Sequence, residues 1–334
     1  MANIPALHPP SSAFQSRPVF LAGPTAVGKS AIALALAEKI GGELITVDSM
    51  QVYRGLDIGT AKPTVEERQR VPHHLLDVCE LTEAFDAAQF IRRAQQAVEE
   101  IQSRAHTPIF CGGTGLYFKA FLDGLGEAPP SDEKLRAELA ATPLEKLLAE
   151  LRERDPVAYE TIDRQNPRRV IRAVAVIRLT GKKFSEQRAA WKPSSPNEDG
   201  ELKMEDGKPR VQPSSVLHPT SSPILCFTRP AEDLHRRING RVDEMFRLGI
   251  VDETRELLKR GLAENIFAMQ AIGYRQVVEH LRGERNLAAT IDLVKSRTRQ
   301  FAKRQLTWFR RHGNCAWLEL QPGESAEDTL TRLT

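Results

Sequence analysis

Residues 23–30 read GPTAVGKS, the GxxxxGK[ST] spacing in which glycines let backbone N–H groups close around phosphate oxygens. Lys29 can reach the phosphate charge, and the Ser30 hydroxyl suits Mg²⁺. A second candidate is Asp48, at the end of the apolar run LITVD, an acidic strand end able to hold Mg²⁺. Behind it, DSMQVYRGLDIGTAKPT crowds Ser49, Gln51, Tyr53, Arg54, Asp57, Thr60 and Lys62 into one glycine-interrupted stretch. So much polar detail beside a phosphate loop points to recognition of a second substrate. From the loop alone, phosphoryl transfer to a small acceptor is the default chemistry.

The elements that must position these groups follow from hydrophobic pattern. Residues 19–22 predict a buried strand, SAIALALAEKI a helix ending at Gly41 and Gly42, and ELITVDS a second strand. Residues 85–105 carry Phe90, Ile91, Ala94, Val98 and Ile101 at helical spacing and lead into PIFCGGTG, a third strand ending in glycines. Alternation of this kind predicts an α/β fold: a P-loop NTPase-like parallel sheet flanked by helices, with ligands at the carboxyl ends of its strands. The strands end near Gly23, Asp48 and Gly112, so the residues after them should converge. Past Gly124 the sequence turns helical and Arg- and Glu-rich up to about Trp191, as an inserted helical domain would. Residues 192–222, with five prolines and no aromatic residue, read as a flexible linker or loop, and residues 1–16 as a tail. ILCFT offers one more short strand before C-terminal helices. The expected organisation is a catalytic core over 17–124 and 223–320, with the helical insert over 125–191.

Composition narrows the class. The 334 residues, 41% hydrophobic and 27% charged, can bury a sizeable core. No segment approaches the roughly 20 apolar residues of a membrane helix, and the N-terminal residues lack a basic start followed by an apolar block, so a cytoplasmic protein is expected. Cys79, Cys111, Cys226 and Cys315 are scattered without a CxxC pair, which fits reduced thiols, Cys111 reading as a buried core residue. His73 and His74 have no partner at metal spacing and read as structural polar contacts. The net charge of +3 is unevenly spread. Residues 152–188 hold ten Lys and Arg against five Asp and Glu, and residues 295–311 hold seven basic residues and no acid. In the second segment Phe301, Ala302, Leu306, Trp308 and Phe309 recur at helical spacing, with Arg299, Lys303 and Arg310 on another side. Such a helix presents either a solvated face or a surface for a polyanion.

Eight blocks in register, GPTAVGKS, VDSMQVYRGLDIGTAKPT, PHHLLD, GGTGLYFKAFLDGL, NPRRVIRA, RINGRVDEM, QAIGYRQ and AKRQLTWFRR, resemble the signatures of bacterial tRNA dimethylallyltransferases, also called tRNA isopentenyltransferases, over residues 19–317. The resemblance implies transfer of the dimethylallyl group of dimethylallyl diphosphate to N6 of the adenosine on the 3′ side of the tRNA anticodon, with release of diphosphate. In that case Gly23, Pro24, Thr25, Ala26, Val27, Gly28, Lys29 and Ser30 bind the diphosphate, with Mg²⁺ on Ser30 and, through water, Asp48. Asp48 is the family's candidate for accepting the N6 proton or hydrogen bond; Thr25, Thr114 and Arg241 complete the catalytic set, Arg241 at the diphosphate end. Without the resemblance, Arg241 would read as a solvated surface charge. Asp48, Ser49, Met50 and Gln51 match residues around the target nucleotide, and Thr114 a tRNA contact that could equally cap a helix. Arg136, the run Arg168, Arg169, Val170, Ile171 and Arg172, and the run Gln270, Ala271, Ile272, Gly273, Tyr274 and Arg275 match tRNA-contacting blocks, Tyr274 alternatively packing in the core. The target adenosine would have to leave its stack, and a tunnel through the core would bring it to the diphosphate. A monomer is expected, with the tRNA anticodon stem-loop as partner.

Two departures matter. Residues 192–222 are longer than compact members of the family would need. There is no C-terminal Cys/His block like the zinc module of some eukaryotic relatives, and no DDxxD as in aspartate-rich isoprenoid synthases. Beside the transferase stand two other readings, a P-loop small-molecule kinase and a non-catalytic RNA-binding protein.

Overall fold

Three strand ends lie level at one edge of a parallel sheet, and this alignment assembles the site. The computed structural model describes residues 17–125, 132–189, 223–265, 267–312 and 314–333; the expected tail and the 192–222 linker lie outside them. In chain order the core elements are β1 (Val19–Ala22), α1 (Lys29–Ile40), β2 (Gly42–Val47), α2 (Val65–Arg70), β3 (His73–His74), α3 (Ala87–Ser103), β4 (Thr107–Gly112) and α4 (Gly115–Asp123). A helical set follows: α5 (Glu133–Ala141), α6 (Leu144–Arg154), α7 (Pro156–Thr161), α8 (Pro167–Thr180) and α9 (Phe184–Ala189). The chain then forms β5 (Ile224–Thr228), α10 (Ala231–Arg247), α11 (Ile250–Lys259), α12 (Tyr274–Leu281), α13 (Leu287–His312), β6 (Cys315–Glu319) and α14 (Ala326–Leu333).

The sheet order is β3-β2-β4-β1-β5-β6, with every pairing parallel. Ala22 and Val47 both pair with Gly112. Gly23, Asp48 and Gly113 therefore emerge side by side, on strands spaced roughly 4.8 Å apart. Alternation along each strand serves two cores. Phe20, Ile45 and Phe110 join Phe90 and Tyr117 on one face, while Leu21, Leu44 and Ile109 meet Ile32 and Leu36 of α1 on the other. Phe20 and Phe110 stack at 5.0 Å, and each such buried ring contributes on the order of 2–3 kcal/mol. Helix α1 stops where expected: Gly41 takes a left-handed φ of 66° and its N–H bonds Ala37 O. At the start of α3, Asp86 accepts from the Gln89 N–H.

Strand β6 differs from the expectation of helices after ILCFT. It is five residues long and takes its partner, β5, from the far side of α10 to α13, so nothing local marks it. Strand β3 is only His73 and His74, also unforeseen.

The chain divides into two compact units, Met1–Leu122 with Leu217–Thr334, and Asp123–Val216. In the second, α5 to α9 close over Leu139, Leu147, Leu151, Val170, Val174 and Ile177. Its pin is the buried Asp155 carboxylate, which accepts from the Ala158 and Ser185 N–H groups and the Ser185 hydroxyl. Among the described residues no helix is long and apolar enough to cross a membrane.

Candidate active site

The anion loop is built from backbone. Gly28 has a φ of 109°, which favours glycine, and a Cβ on Gly23 would meet Phe227 O at 2.9 Å. Ala26 also sits in the left-handed region, at φ 62°. Its carbonyl accepts from Arg237 Nε at 2.8 Å, and that of Val27 from Arg229 Nε at 2.7 Å. Arg229 is itself held by Asp233 Oδ2 at 3.1 Å and Gln321 O at 2.8 Å. In a trans peptide the next residue's N–H points opposite to the carbonyl, so the buried Arg229 on Val27 O turns the Gly28 amide away from itself, while the Val27 N–H donates to Pro24 O at 3.4 Å. Helix α1 starts at Lys29, adding its N-terminal partial charge, and Ser30 is exposed in that first turn.

Three charges face this loop. Lys29 Nζ donates to Pro24 O at 3.3 Å; burial holds its pKa below the ordinary lysine value, Arg241 adds to this, and Cys111 and Asp48 oppose it. Arg241, on α10, donates through Nη1 to Thr25 Oγ1 at 3.4 Å and through Nη2 to Thr60 O at 3.3 Å. Its Nε is buried with no hydrogen-bond partner. Burial lowers the Arg241 pKa, and the Asp48 carboxylate opposes the shift. The solvated surface charge that spacing alone suggests for Arg241 is thus corrected. RINGRVDEM lies on an amphipathic helix whose arginine face turns onto the loop.

The loop after β2 that begins at Asp48 and runs to Lys62, the acceptor loop, is held by side chains. Asp48 Oδ1 accepts from the Met50 and Gln51 N–H groups at 2.8 and 3.2 Å, which fixes the carboxylate and leaves Oδ2 without a hydrogen bond among the described residues. The Ser49 N–H donates to Thr114 Oγ1 at 3.3 Å. Thr114 sits just before α4, its carbonyl accepting from the Tyr117 N–H at 2.9 Å, so a terminal helix position and a bond into the acceptor loop coexist. Gln51 Nε2 donates to Thr60 O at 3.0 Å. The buried Lys62 ammonium bridges Tyr53 O, Asp57 and Asp77. From the other side Glu253 accepts from the Ile58 N–H and, at 2.6 Å, from the Tyr274 hydroxyl, which itself accepts from the Gly59 N–H at 3.0 Å. Burial raises the Glu253 pKa against these hydrogen bonds.

The third wall is the glycine run after β4. A Cβ on Gly112 would meet Val47 O at 2.0 Å, on Gly113 the Gln305 Nε2 at 2.1 Å, and on Gly115 the Trp308 ring at 2.1 Å. The first contact lets β2 and β4 close together, and the other two admit α13.

The remaining expected residues are distributed as follows. Pro24 and Val27 are buried within the anion loop and Met50 packs on the core. Ala271, Gly273 and Tyr274 are buried and Ile272 is half-buried at the entry to α12, with Arg275 exposed and paired to Glu279 at 3.2 Å. Gln270 closes the short 3₁₀ turn before them. In the helical unit Val170 is buried, Ile171 packs against the same core, Arg172 is half-buried and Arg169 is exposed. Arg136 and Arg168 lie on α5 and α8, their side chains outside the described set. The side chains of Val170, Ala271 and Tyr274 turn to the core. His73 and His74 make structural contacts, with Val71 O and Glu43, at 2.7 Å each. Cys111 is half-buried with its Sγ 3.8 Å from Lys29 O, and burial pushes its thiol up to about 11. Gln305, Arg229, Arg237 and Glu253 were missed. The signals were there to read: Gln305 is polar within the apolar stripe of Ala302 and Phe309, and Arg237 stands one turn before Arg241.

A P-loop NTPase-like sheet whose glycine loop opens the first helix, with a braced carboxylate two strands away across β4, defines a class of enzymes that handle phosphorylated substrates. Within that class the chain belongs to the IPP transferase family, whose model matches residues 51–312. It is 42% identical over 314 residues to the tRNA dimethylallyltransferase of Geobacter metallireducens, covering 93% of this chain and 94% of that one. Against the tRNA dimethylallyltransferase of Thermotoga neapolitana the identity is 38%, over 89% and 90% of the two chains. The crystal structure of the tRNA isopentenylpyrophosphate transferase of Bacillus halodurans superposes with a TM-score of 0.63 at 36% identity, covering 96% of this chain and 95% of that one. A eukaryotic dimethylallyltransferase captured acting on tRNA gives a TM-score of 0.71 at 27% identity, over 91% and 74%.

Proposed function

We propose that the chain transfers the dimethylallyl group of dimethylallyl diphosphate to N6 of the adenosine 3′ to the anticodon of tRNA. The allylic C–O bond breaks and its electrons leave with diphosphate; the N6–C bond forms; the N6 proton passes to the Asp48 carboxylate. The observation that carries this reading is the half-buried Arg241, whose buried Nε has no hydrogen-bond partner, set with Lys29 at the glycine loop. A buried guanidinium N–H without a partner is costly unless an acceptor meets it, and a departing diphosphate supplies one as its charge grows.

Several features of the chain support the individual roles. Asp48, oriented through Oδ1 with Oδ2 unbonded, is arranged as an acceptor. Thr25 and Thr114 hold the two sides of the cleft, and Ser49 and Gln51 line the acceptor loop. The exposed Ser30 hydroxyl fits Mg²⁺, with Asp48 through water, although the described residues hold no His, Cys, Asp or Glu group of metal-ligating size. Such a set suits an ion carried largely by phosphate oxygens and water, where it would neutralise leaving-group charge. Arg169, exposed on α8, supplies phosphate contacts that set affinity rather than sequence. Both loops come from one chain, so a monomer suffices. The test is incubation with unmodified tRNA, Mg²⁺ and dimethylallyl diphosphate followed by nucleoside mass analysis: a prenylated adenosine is expected, and its absence with folded protein would refute the reading.

A further inference from the structure

We infer that Gln305 is a positioning residue that couples occupancy of the anion loop to binding of the acceptor RNA. It lies on α13, buried between Ala302 and Phe309 of the same helical stripe. A carboxamide in an apolar stripe is unfavourable unless both ends are bonded, and here both are. Oε1 accepts from the Thr25 N–H at 2.9 Å, and Nε2 donates to Gly113 O at 2.9 Å.

Those two partners belong to different sides of the site. Thr25 lies in the anion loop and its hydroxyl also receives Arg241 Nη1. Gly113 precedes Thr114, whose hydroxyl receives the Ser49 N–H next to Asp48. One amide thus closes a hydrogen-bonded path from the anion loop through Gln305, Gly113 and Thr114 to the acceptor carboxylate. The glycine at 113 is shaped for it, since any Cβ there would meet Nε2 at 2.1 Å. The opposite face of α13 turns Lys303, Arg304 and Arg310 to solvent. RNA seated on that basic face would load the same helix that carries Gln305, so each substrate biases the loop that receives the other.

This rests on the assignment of the two loops to diphosphate and acceptor. The test measures the Kd of unmodified tRNA with and without inorganic diphosphate and Mg²⁺, alongside kcat and KM for transfer, in wild type, Gln305→Met and Gln305→Glu. Met keeps the volume and removes both hydrogen bonds; Glu keeps the acceptor for the Thr25 N–H and loses the donor. Wild type is expected to bind tRNA on the order of tenfold tighter with diphosphate. Both variants should bring that factor near one and lower kcat roughly tenfold, with the Kd of each ligand alone within about threefold. A wild-type factor of one, or an undiminished factor in folded Gln305→Met and Gln305→Glu, overturns the inference. Wild-type protein that prenylates tRNA without coupling refutes the inference alone, whereas absent prenylation refutes the transferase reading.

Discussion

The two ends of the central sheet bury charge in opposite ways. At the amino end, Glu43 of β2 is almost fully buried and answered on all sides: Arg104 donates at 3.0 and 2.8 Å, and His74 and His106 each approach to 2.7 Å. At the carboxyl end, Arg241 is half-buried with only long hydrogen bonds and a buried, unpartnered Nε. A satisfied charge stabilises the fold; an unsatisfied one is poised for something that arrives. That contrast, more than the amount of charge, separates the structural pole of this molecule from its reactive pole.

Substitution at the reactive pole should break it most visibly. Asp48→Asn retains an oxygen for the turn yet cannot take a proton, so turnover should fall about 10²- to 10⁴-fold while tRNA affinity stays within a few fold. Single-turnover kinetics with an anisotropy titration checks this; an unchanged rate would remove the proton-accepting role. Arg241→Met should lower turnover about 10²- to 10³-fold. Because an ill-paired buried cation is replaced by apolar surface, thermal stability should hold or rise, by about 1–4 kcal/mol at most. Calorimetry showing a large loss of stability would make Arg241 structural instead.

At the structural pole, Glu43→Gln should leave kcat unaltered and cost stability in a pH-dependent way. Burial alone would raise the Glu43 pKa, but the bonds from Arg104, His74 and His106 outweigh it and hold the carboxyl at about 2, against an ordinary 4.5. A depressed folded pKa gives stability that is fully present above pH 4.5 and is lost as pH falls through about 2. At 1.36 kcal/mol per unit that is about 3 kcal/mol near neutrality, closing toward zero at the acid end. Chemical denaturation of the two proteins across that range reads the gap, and a constant gap would contradict the assignment. The smallest effect is expected in the helical unit: Arg169→Ala should weaken tRNA binding modestly and reduce the log–log salt slope by about 1. An unaltered slope would mean that Arg169 touches no phosphate.

What could be read from sequence follows the same division between local and distant causes. GPTAVGKS was legible because its geometry is set within eight residues, by glycines that must adopt unusual φ and by the helix that follows. The first strands were legible because they are buried on both faces and alternate between two cores. The braces were not. Thr25 and Gln305 are 280 positions apart, Ile58 and Glu253 195, and Val27 and Arg229 202, so their pairing exists only once the sheet has formed. Tyr274 shows the limit from the other direction: a motif match marks a residue as important without saying whether it meets RNA or braces, from the core, the loop that Asp48 begins.

The central claim is that the glycine loop grips a diphosphate that departs while Asp48 faces the accepting purine. It is tested most directly by incubating the purified chain with unmodified tRNA, Mg²⁺ and dimethylallyl diphosphate labelled in the allyl group, with no nucleoside triphosphate present. The label should appear on N6 of the adenosine 3′ to the anticodon, with one diphosphate released per transfer. Failure to label tRNA, or transfer that proceeds only when a nucleoside triphosphate is consumed, would contradict it.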